Sequence, residues 1–253
     1  MKIEQTTVVD YDEVDTDFRM KLPVLFQRFQ RAAVQHSEQV GLGSADLVTA
    51  GAVWILNRMR VDIYRMPVYR EEITLRTWHK GSAGFRAGRD FLMVCGGEVV
   101  AAATSLWLYF DLNRKRIVKI PKRISEPYTV EVDDVLAADA IDFAVDKTFV
   151  PAQTIAITTR EGDYDPNGHV NNTVYLEYLD TLIKRSGTGD AAVGQVGIQY
   201  LKEISRDVHT FQAGVAAADS AVRFRFFDAT AVYAAGFVTY GEPGRTNRCK
   251  DSG

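Results

Sequence analysis

The chain has 253 residues, of which 46% are hydrophobic and 25% charged, and its formal net charge is −3. This balance excludes the strongly basic surface that nucleic acid or an anionic membrane would need, and it leaves enough apolar residues for one large core or two smaller ones. No apolar run reaches transmembrane length, and four scattered histidines with two isolated cysteines, Cys95 and Cys249, give neither a metal-ligand spacing nor a disulfide framework. We therefore expect no metal, no cofactor, no nucleic acid and no membrane. The start, Met1-Lys2-Ile3-Glu4-Gln5, reads directly into a strand rather than a targeting peptide, so the expected location is the cytoplasm.

Taken in order, Thr6-Thr7-Val8-Val9 is the first strand signal, and a polar turn over 10–17 follows it. The spacing then predicts a helix over 22–40, with Leu22, Leu25, Phe26, Phe29, Ala33 and Val40 as its apolar stripe and Gly41 or Gly43 beyond its end. From Val53 the period changes from helix to strand. Met59, Val61 and Ile63 alternate with Arg58, Arg60 and Asp62, as in a half-buried strand of an antiparallel sheet. Residues 73–78 form the next strand, and 89–95 with 99–110 make a hairpin around Gly96-Gly97.

Periodicity fades over 122–147, where Pro127 and a run of acids suggest a linker crossing the surface. The order of elements then repeats. A strand over 154–159, a polar turn, a helix to about Arg185 and strands over 193–204, 209–217, 222–226 and 231–240 make a second unit. The expected organisation is residues 1–121 as a first domain, 122–148 as the linker, 149–240 as a second domain and 241–253 as a disordered tail. The two units also share wording. Asp10-Tyr11-Asp12 precedes the first helix and Asp163-Tyr164-Asp165 the second, an alignment that sets Val14 opposite Asn167 and Thr16 opposite His169.

The second turn, Asp163-Tyr164-Asp165-Pro166-Asn167-Gly168-His169-Val170-Asn171-Asn172, carries more polar side chains than a connection needs. It leads into an amphipathic helix whose Tyr175, Tyr178, Leu179 and Leu182 share one face, with Asn171 or Asn172 as N-cap. In Asp165-x-Asn167-x-His169 a carboxylate, an amide and an imidazole recur at a spacing of two, shaped by Pro166 and Gly168. One backbone segment can aim all three at one pocket, supplying a group to position water, a proton acceptor and a hydrogen-bond donor, the requirements for hydrolysing an activated acyl group. Each residue alone also has a structural reading, Asp165 as a cap and His169 as a hydrogen-bonded histidine. The cluster, and its lack of a match in the first copy, favour function. Downstream, Glu203 falls late on the strand predicted over 193–204, among apolar neighbours that would raise its basicity; the alternative is a surface Glu paired with Lys202 or Arg206.

The helix-then-strands unit, present twice, resembles a double hot-dog fold, an α+β architecture in which each long helix is wrapped by an antiparallel sheet. The segments Asp165-Pro166-Asn167-Gly168-His169-Val170-Asn171-Asn172-Thr173-Val174-Tyr175 and Tyr200-Leu201-Lys202-Glu203 resemble the signature of the acyl-ACP thioesterases of plants and bacteria. Trp54-Ile55-Leu56-Asn57-Arg58, Glu72-Ile73-Thr74-Leu75-Arg76-Thr77-Trp78 and Ala103-Thr104-Ser105-Leu106-Trp107 match in the right order. The resemblance implies hydrolysis of acyl-[acyl-carrier-protein] to free fatty acid, with Asp165, Asn167, His169 and Glu203 as the catalytic set. Asp165 or Glu203 would be the base or nucleophile, Asn167 and His169 the orienting groups, and backbone N–H groups near Val170 and Asn171 the oxyanion donors. It also implies an acyl site in the first hot dog, lined by residues such as Phe26, Phe29, Trp54 and Met59. The implied partner is acylated acyl carrier protein, an acidic protein for which Arg114-Lys115-Arg116 with Lys119, Lys122 and Arg123, or Arg58, Arg60, Lys80, Arg86 and Arg89, are the candidate basic patches. An acyl-CoA thioesterase and a non-catalytic acyl-binding module are the alternatives. Ile204 follows Glu203 where plant members carry Cys, so no cysteine nucleophile is expected. Monomer and homodimer both fit a chain that carries its own duplicate.

Overall fold

The structure, a computed structural model, describes residues 2–187, 192–218 and 221–241. The first half contains β1 (Ile3–Val8), α1 (Leu22–Gln39), a short α2 (Ser44–Thr49) and the strands β2 (Ala52–Ile63), β3 (Glu72–Ala83), β4 (Arg86–Cys95) and β5 (Glu98–Asp111), with a two-residue β6 (Arg116–Ile117) beside β5 and a one-turn α3 (Lys122–Ser125) after it. The second half contains β7 (Gln153–Thr158), α4 (Val174–Ser186), β8 (Val193–Tyr200), β9 (Thr210–Ala218), β10 (Ala221–Phe227) and β11 (Val232–Tyr240). Among the described residues these strands form one sheet in the order β1-β3-β4-β5-β2-β8-β11-β10-β9-β7, antiparallel throughout. The order of the second half mirrors that of the first, so the duplication read from the sequence is a duplication of topology.

Each long helix lies on its own half of the sheet because its apolar stripe has nowhere else to go. On α1 the buried face is Leu22, Leu25, Phe26, Phe29, Ala32, Ala33 and His36, and Phe29 meets Phe91 of β4 with ring centroids 5.2 Å apart. The predicted stripe ended at Val40; that residue is only the half-buried C-cap, and the buried position one turn earlier is taken by a histidine. On α4 Tyr175, Leu176, Tyr178, Leu179, Leu182 and Ile183 are buried, and Tyr178 packs edge-on against Phe211 of β9. Apart from His36, these side chains belong to one continuous core that spans both halves.

The seam is the antiparallel pairing of β2 with β8, from Arg58 opposite Gln199 to Asp62 opposite Gln195. A β-bulge at Asn57 interrupts the pairing of β2 with β5, and the Asn57 amide donates across the seam to the Tyr200 carbonyl at 3.3 Å.

The segment over 122–147, expected as a surface linker, instead forms a strap on the outer face of the sheet. Val135, Leu136 and Ala140 are buried against Trp78 and Ala102. Arg58 donates to the carbonyls of Ile141 (3.4 Å) and Phe143 (3.0 Å), and the Phe143 ring lies edge-on to Phe237 of β11. The strap thus closes over the seam, with Phe143 between residues of the two halves. Its apolar residues are too few and too unevenly spaced to show a period; only the outer face of the sheet supplies their partner. The expected tail over 241–253 lies, beyond Gly241, outside the described residues.

If the strap is part of the core, Leu136→Ala should lower unfolding free energy by about 2 kcal/mol or more. A denaturant titration that shows no change would return the segment to the role of a linker.

Candidate functional site

The polar turn is built twice with the same backbone. In the first copy Asp15 N–H donates to the Arg19 carbonyl, Phe18 N–H to the Asp15 carbonyl and Lys21 N–H to the Glu13 carbonyl. In the second, Asp165 N–H donates to His169, Gly168 N–H to Asp165 and Asn171 N–H to Asp163. Single bridges close both loops, Val14 with Met20 and Tyr164 with Val170. Phe18 and Gly168 occupy the same left-handed position, at φ 59° and 80°, where glycine is free of the strain a side chain meets. The register is therefore Asp15 opposite Asp165, Asp17 opposite Asn167 and Arg19 opposite His169. The alignment by shared wording is off by three, because a tripeptide match carries less information than the hydrogen bonds that close the loop.

This pairing changes the meaning of Asp165. Its Oδ1 accepts the Asn167 N–H at 2.8 Å, and Asp15 Oδ1 accepts the Asp17 N–H at 2.9 Å in the same place. The carboxylate thus has a backbone task common to both copies. Its other oxygen is 3.4 Å from the Asn167 side-chain nitrogen, so Asp165 also orients that amide. Asn167 and His169 have no like counterpart in the first copy.

The turn is anchored beneath by Asp163, which is 2% exposed. Burial works against its charge, yet hydrogen bonds from the Tyr178 hydroxyl (2.6 Å) and Arg160 prevail and hold its carboxyl below the usual range. The expected N-cap at Asn171 or Asn172 is corrected: the N-cap of α4 is Thr173, and Asn171 instead shapes the turn before it, its Oδ1 accepting the Thr173 N–H at 2.9 Å.

Glu203 is not on a strand. β8 ends at Tyr200, and Glu203 sits in the loop beyond it, with 61% of its side chain exposed. The expectation of a half-buried carboxylate on β8 is corrected accordingly: after Tyr200 the chain leaves the sheet to run back beside the turn. There Val170 N–H donates to the Ile204 carbonyl at 3.0 Å and His169 bridges Ser205. That local pairing brings Glu203 Oε1 to 3.9 Å from His169 Nε2. The expected oxyanion donors are both occupied, the Val170 N–H by the Ile204 carbonyl of this pairing and the Asn171 N–H by the Asp163 carbonyl of the turn itself.

Asn167 also lines a cavity of about 120 Å³ in the first half, between α1, α2 and the inner face of β2–β5. Trp54, expected to line an acyl site, is part of its wall with Ala33, Leu47 and Trp107. Phe26 and Met59 line a narrow adjoining crevice beside Asn172 and Thr173, with Trp107 common to both spaces. Phe29 is fully buried against Phe91 and lines neither.

The polar end of this cavity was missed. Arg89 is 6% exposed, and its Nη1 lies 2.8 Å from His36 Nδ1 and 3.3 Å from Thr77 Oγ1. His79 and Tyr128 complete the group, with the Tyr128 hydroxyl donating to Ser37 at 2.8 Å. Burial, then the charge of Arg89, push both His36 and His79 down to about 4, so each imidazole is neutral at pH 7. The helical period had placed position 36 on the buried face, three residues after Ala33 and seven after Phe29; only its polarity hid it.

Of the two basic patches, Arg114, Lys115, Arg116, Lys119, Lys122 and Arg123 are exposed. The other is not a surface patch. Arg58 bonds the strap, Arg60 pairs with Asp62, Lys80 pairs with Asp134, and Arg89 points to the opposite, inner face. Cys95 is buried in the core, where burial raises its thiol to about 11, and Cys249 lies outside the described residues.

A tandem helix-on-sheet pair with its polar turn beside an apolar cavity defines a double hot dog. Solved structures of the same architecture include the 12:0-ACP thioesterase from Umbellularia californica (TM-score 0.85, 20% identity, covering 96% of this chain and 98% of that one). An acyl-ACP thioesterase from Bacteroides thetaiotaomicron gives a TM-score of 0.82 at 19% identity, covering 95% of this chain and 98% of that one. The family model for the acyl-ACP thioesterase N-terminal domain matches residues 1–128, and that for the C-terminal domain matches residues 151–224. The chain belongs to the acyl-ACP thioesterase family. Among curated relatives, the chloroplastic palmitoyl-acyl carrier protein thioesterase of Gossypium hirsutum is 25% identical over 207 residues, covering 77% of this chain and 50% of that protein. The chloroplastic oleoyl-acyl carrier protein thioesterase 2 of Arabidopsis thaliana is 22% identical over 211 residues, covering 77% of this chain and 58% of that protein. The chain spans about half the length of the first curated relatives it matches.

Two outcomes test this geometry. Asp15→Ala and Asp165→Ala should each destabilise the fold by about 1 kcal/mol, the worth of a lost side-chain-to-backbone bond, in chemical denaturation; stability unaffected by Asp165→Ala would deny it the backbone task. The buried histidines set an acid limit. Their folded values near 4 lie below the unfolded value of 6.5. As pH falls from 6.5 towards 4, the unfolded chain takes up protons that the folded chain refuses, and stability declines; above 6.5 these two groups add no slope. Melting curves at stepped pH should show this decline beginning above the carboxylate range, and His36→Gln should flatten it.

Proposed function

We propose that this protein hydrolyses the thioester of acyl-[acyl-carrier-protein] and releases free fatty acid. The observation that carries the reading is the position of Asn167: it stands on the motif turn of the second half and lines the cavity of the first. A thioester carbonyl at the turn therefore has its acyl chain in the cavity.

In this reading Asn167 donates its side-chain amide to the carbonyl oxygen, held in place by Asp165. It takes over the task expected of the Val170 and Asn171 backbone groups. His169 and Glu203, 3.9 Å apart, form the proton-accepting pair. Water between them and the substrate loses a proton to the pair as its oxygen attacks the carbonyl carbon. The tetrahedral intermediate then collapses with cleavage of the C–S bond, and the thiol departs with a proton, leaving the acid. Exposure of Glu203 suits an entrance through which a carrier-borne substrate arrives. The exposed cluster from Arg114 to Arg123 supplies the positive surface that an acidic carrier protein needs, although the chain as a whole is acidic. Neither a coenzyme A handle nor a purely binding role has a specific observation in its favour.

A panel of acyl-ACP and acyl-CoA substrates tests the assignment. Asn167→Ala and His169→Ala should each lower turnover by about 100-fold while leaving the melting temperature in place. Cleavage of no thioester by the intact protein would refute the hydrolase.

A further inference from the structure

A cavity for a saturated chain has no use for a buried cation. Yet Arg89 lines this cavity, is 6% exposed, and makes no ion pair among the described residues. Its two hydrogen bonds both use Nη1, towards His36 Nδ1 and Thr77 Oγ1, so the other guanidinium N–H groups have no protein partner among the described residues. The surroundings make this costlier still. Burial lowers the guanidinium to about 10, and its neighbours His36 and His79 offer no negative charge. The acid next in sequence, Asp90, is on the other face of β4, where it faces Lys80 and the Val135 N–H of the strap. His36 adds a second unmet group: with Nδ1 facing Arg89, its Nε2 is buried without a hydrogen-bond partner. A desolvated charge in this state is expensive unless something pairs with it.

The position of the cation is also informative. Asn171 of the motif turn accepts a hydrogen bond from Gln30 at 3.3 Å, whereas Arg89 meets His36. Six residues of α1 separate these points, a rise of about 9 Å. The unmet cation thus lies further along α1 than the Gln30–Asn171 contact, in the same cavity that Asn167 lines.

We infer that the acyl group received by this cavity carries a carboxylate at the end remote from the thioester, which Arg89 pairs with. This rests on the hydrolase reading above and narrows its substrate class to ω-carboxyacyl thioesters. A carboxylate accepts two parallel N–H bonds from one guanidinium, which matches the donors Arg89 has to spare. The neutral histidines and Ser37 line the approach, and the Tyr128 ring lies 5.9 Å from the guanidinium carbon, a cation–π contact with its face that supplies no hydrogen-bond acceptor to the free N–H groups. The Trp107 indole donates to Ser105 at 2.8 Å and closes the apolar side.

The test compares length-matched thioesters ending in a methyl, a hydroxyl or a carboxylate on the same acyl carrier protein. The intact protein should cleave the ω-carboxyacyl substrate with kcat/KM at least about tenfold above the methyl-terminated one, the value of one charge-assisted pair. Arg89→Gln should abolish that ratio, and Arg89→Lys should retain part of it. Trp54 and Trp107 line the cavity, so their fluorescence gives a second readout that needs no turnover. A free α,ω-dicarboxylic acid should bind the intact protein more tightly than the monocarboxylic acid of equal length. Preference for the methyl end in both measurements overturns the inference, as does equal cleavage of the hydroxyl- and carboxyl-ended substrates. Absence of any hydrolysis together with selective dicarboxylate binding would instead sink the hydrolase reading and leave the anion site standing.

Discussion

The pairing of β2 with β8 is the contact from which the site follows. A single hot dog leaves an open sheet edge at this strand, and exposed N–H and C=O groups there would invite another chain. Here the second copy within the same chain fills that edge, from Arg58 opposite Gln199 to Asp62 opposite Gln195. The pairing orients the halves so that α1 and α4 touch and Gln30 reaches Asn171. The turn before α4 is then carried over the cavity beneath α1. The strap reinforces the seam from the other side, with Phe143 set between Arg58 of β2 and Phe237 of β11. Neither half holds a complete site alone: one supplies the cavity, the other the Asn167 that faces it.

Duplication also explains how the chemistry came to be separable from the scaffold. Both turns use an aspartate to accept a backbone N–H and a residue at positive φ to close. With those tasks fixed, the neighbouring positions were free to differ, as Asp17 and Arg19 do from Asn167 and His169. Asp165 therefore belongs to the scaffold first, and its second oxygen orients the Asn167 amide. The pair His169 and Glu203 comes from a different constraint, the return of the chain from β8 alongside the turn.

The buried group around Arg89 shows the opposite balance. Four polar residues from α1, β3, β4 and the strap's approach, His36, His79, Arg89 and Tyr128, lie where the fold would accept apolar side chains at lower cost. They share the cavity with the apolar walls of Trp54, Leu47 and Trp107, and the inferred carboxylate site rests on that combination.

The two long helices, the strand alternation, the duplicated order and the concentration of polar residues in one turn are all legible from the order of residues alone. These are local signals, since a period of 3.6 or 2 and a Pro–Gly-shaped turn are written in neighbouring residues. The order of residues also supplied Asn167 and His169 as candidates by their contrast with the first copy, though through an alignment three residues out of step. What tertiary structure decided were the contacts between distant segments. The register of the turns was set by the Val14–Met20 and Tyr164–Val170 bridges, and the strap over 122–147 found its partner only on the outer face of the sheet. Arg89 and Arg58 read alike as basic strand residues, yet one turns inward to a cavity and the other outward to the strap. Which face of a strand a charge occupies, and what covers that face, depends on the whole sheet being assembled, and no local pattern contains it.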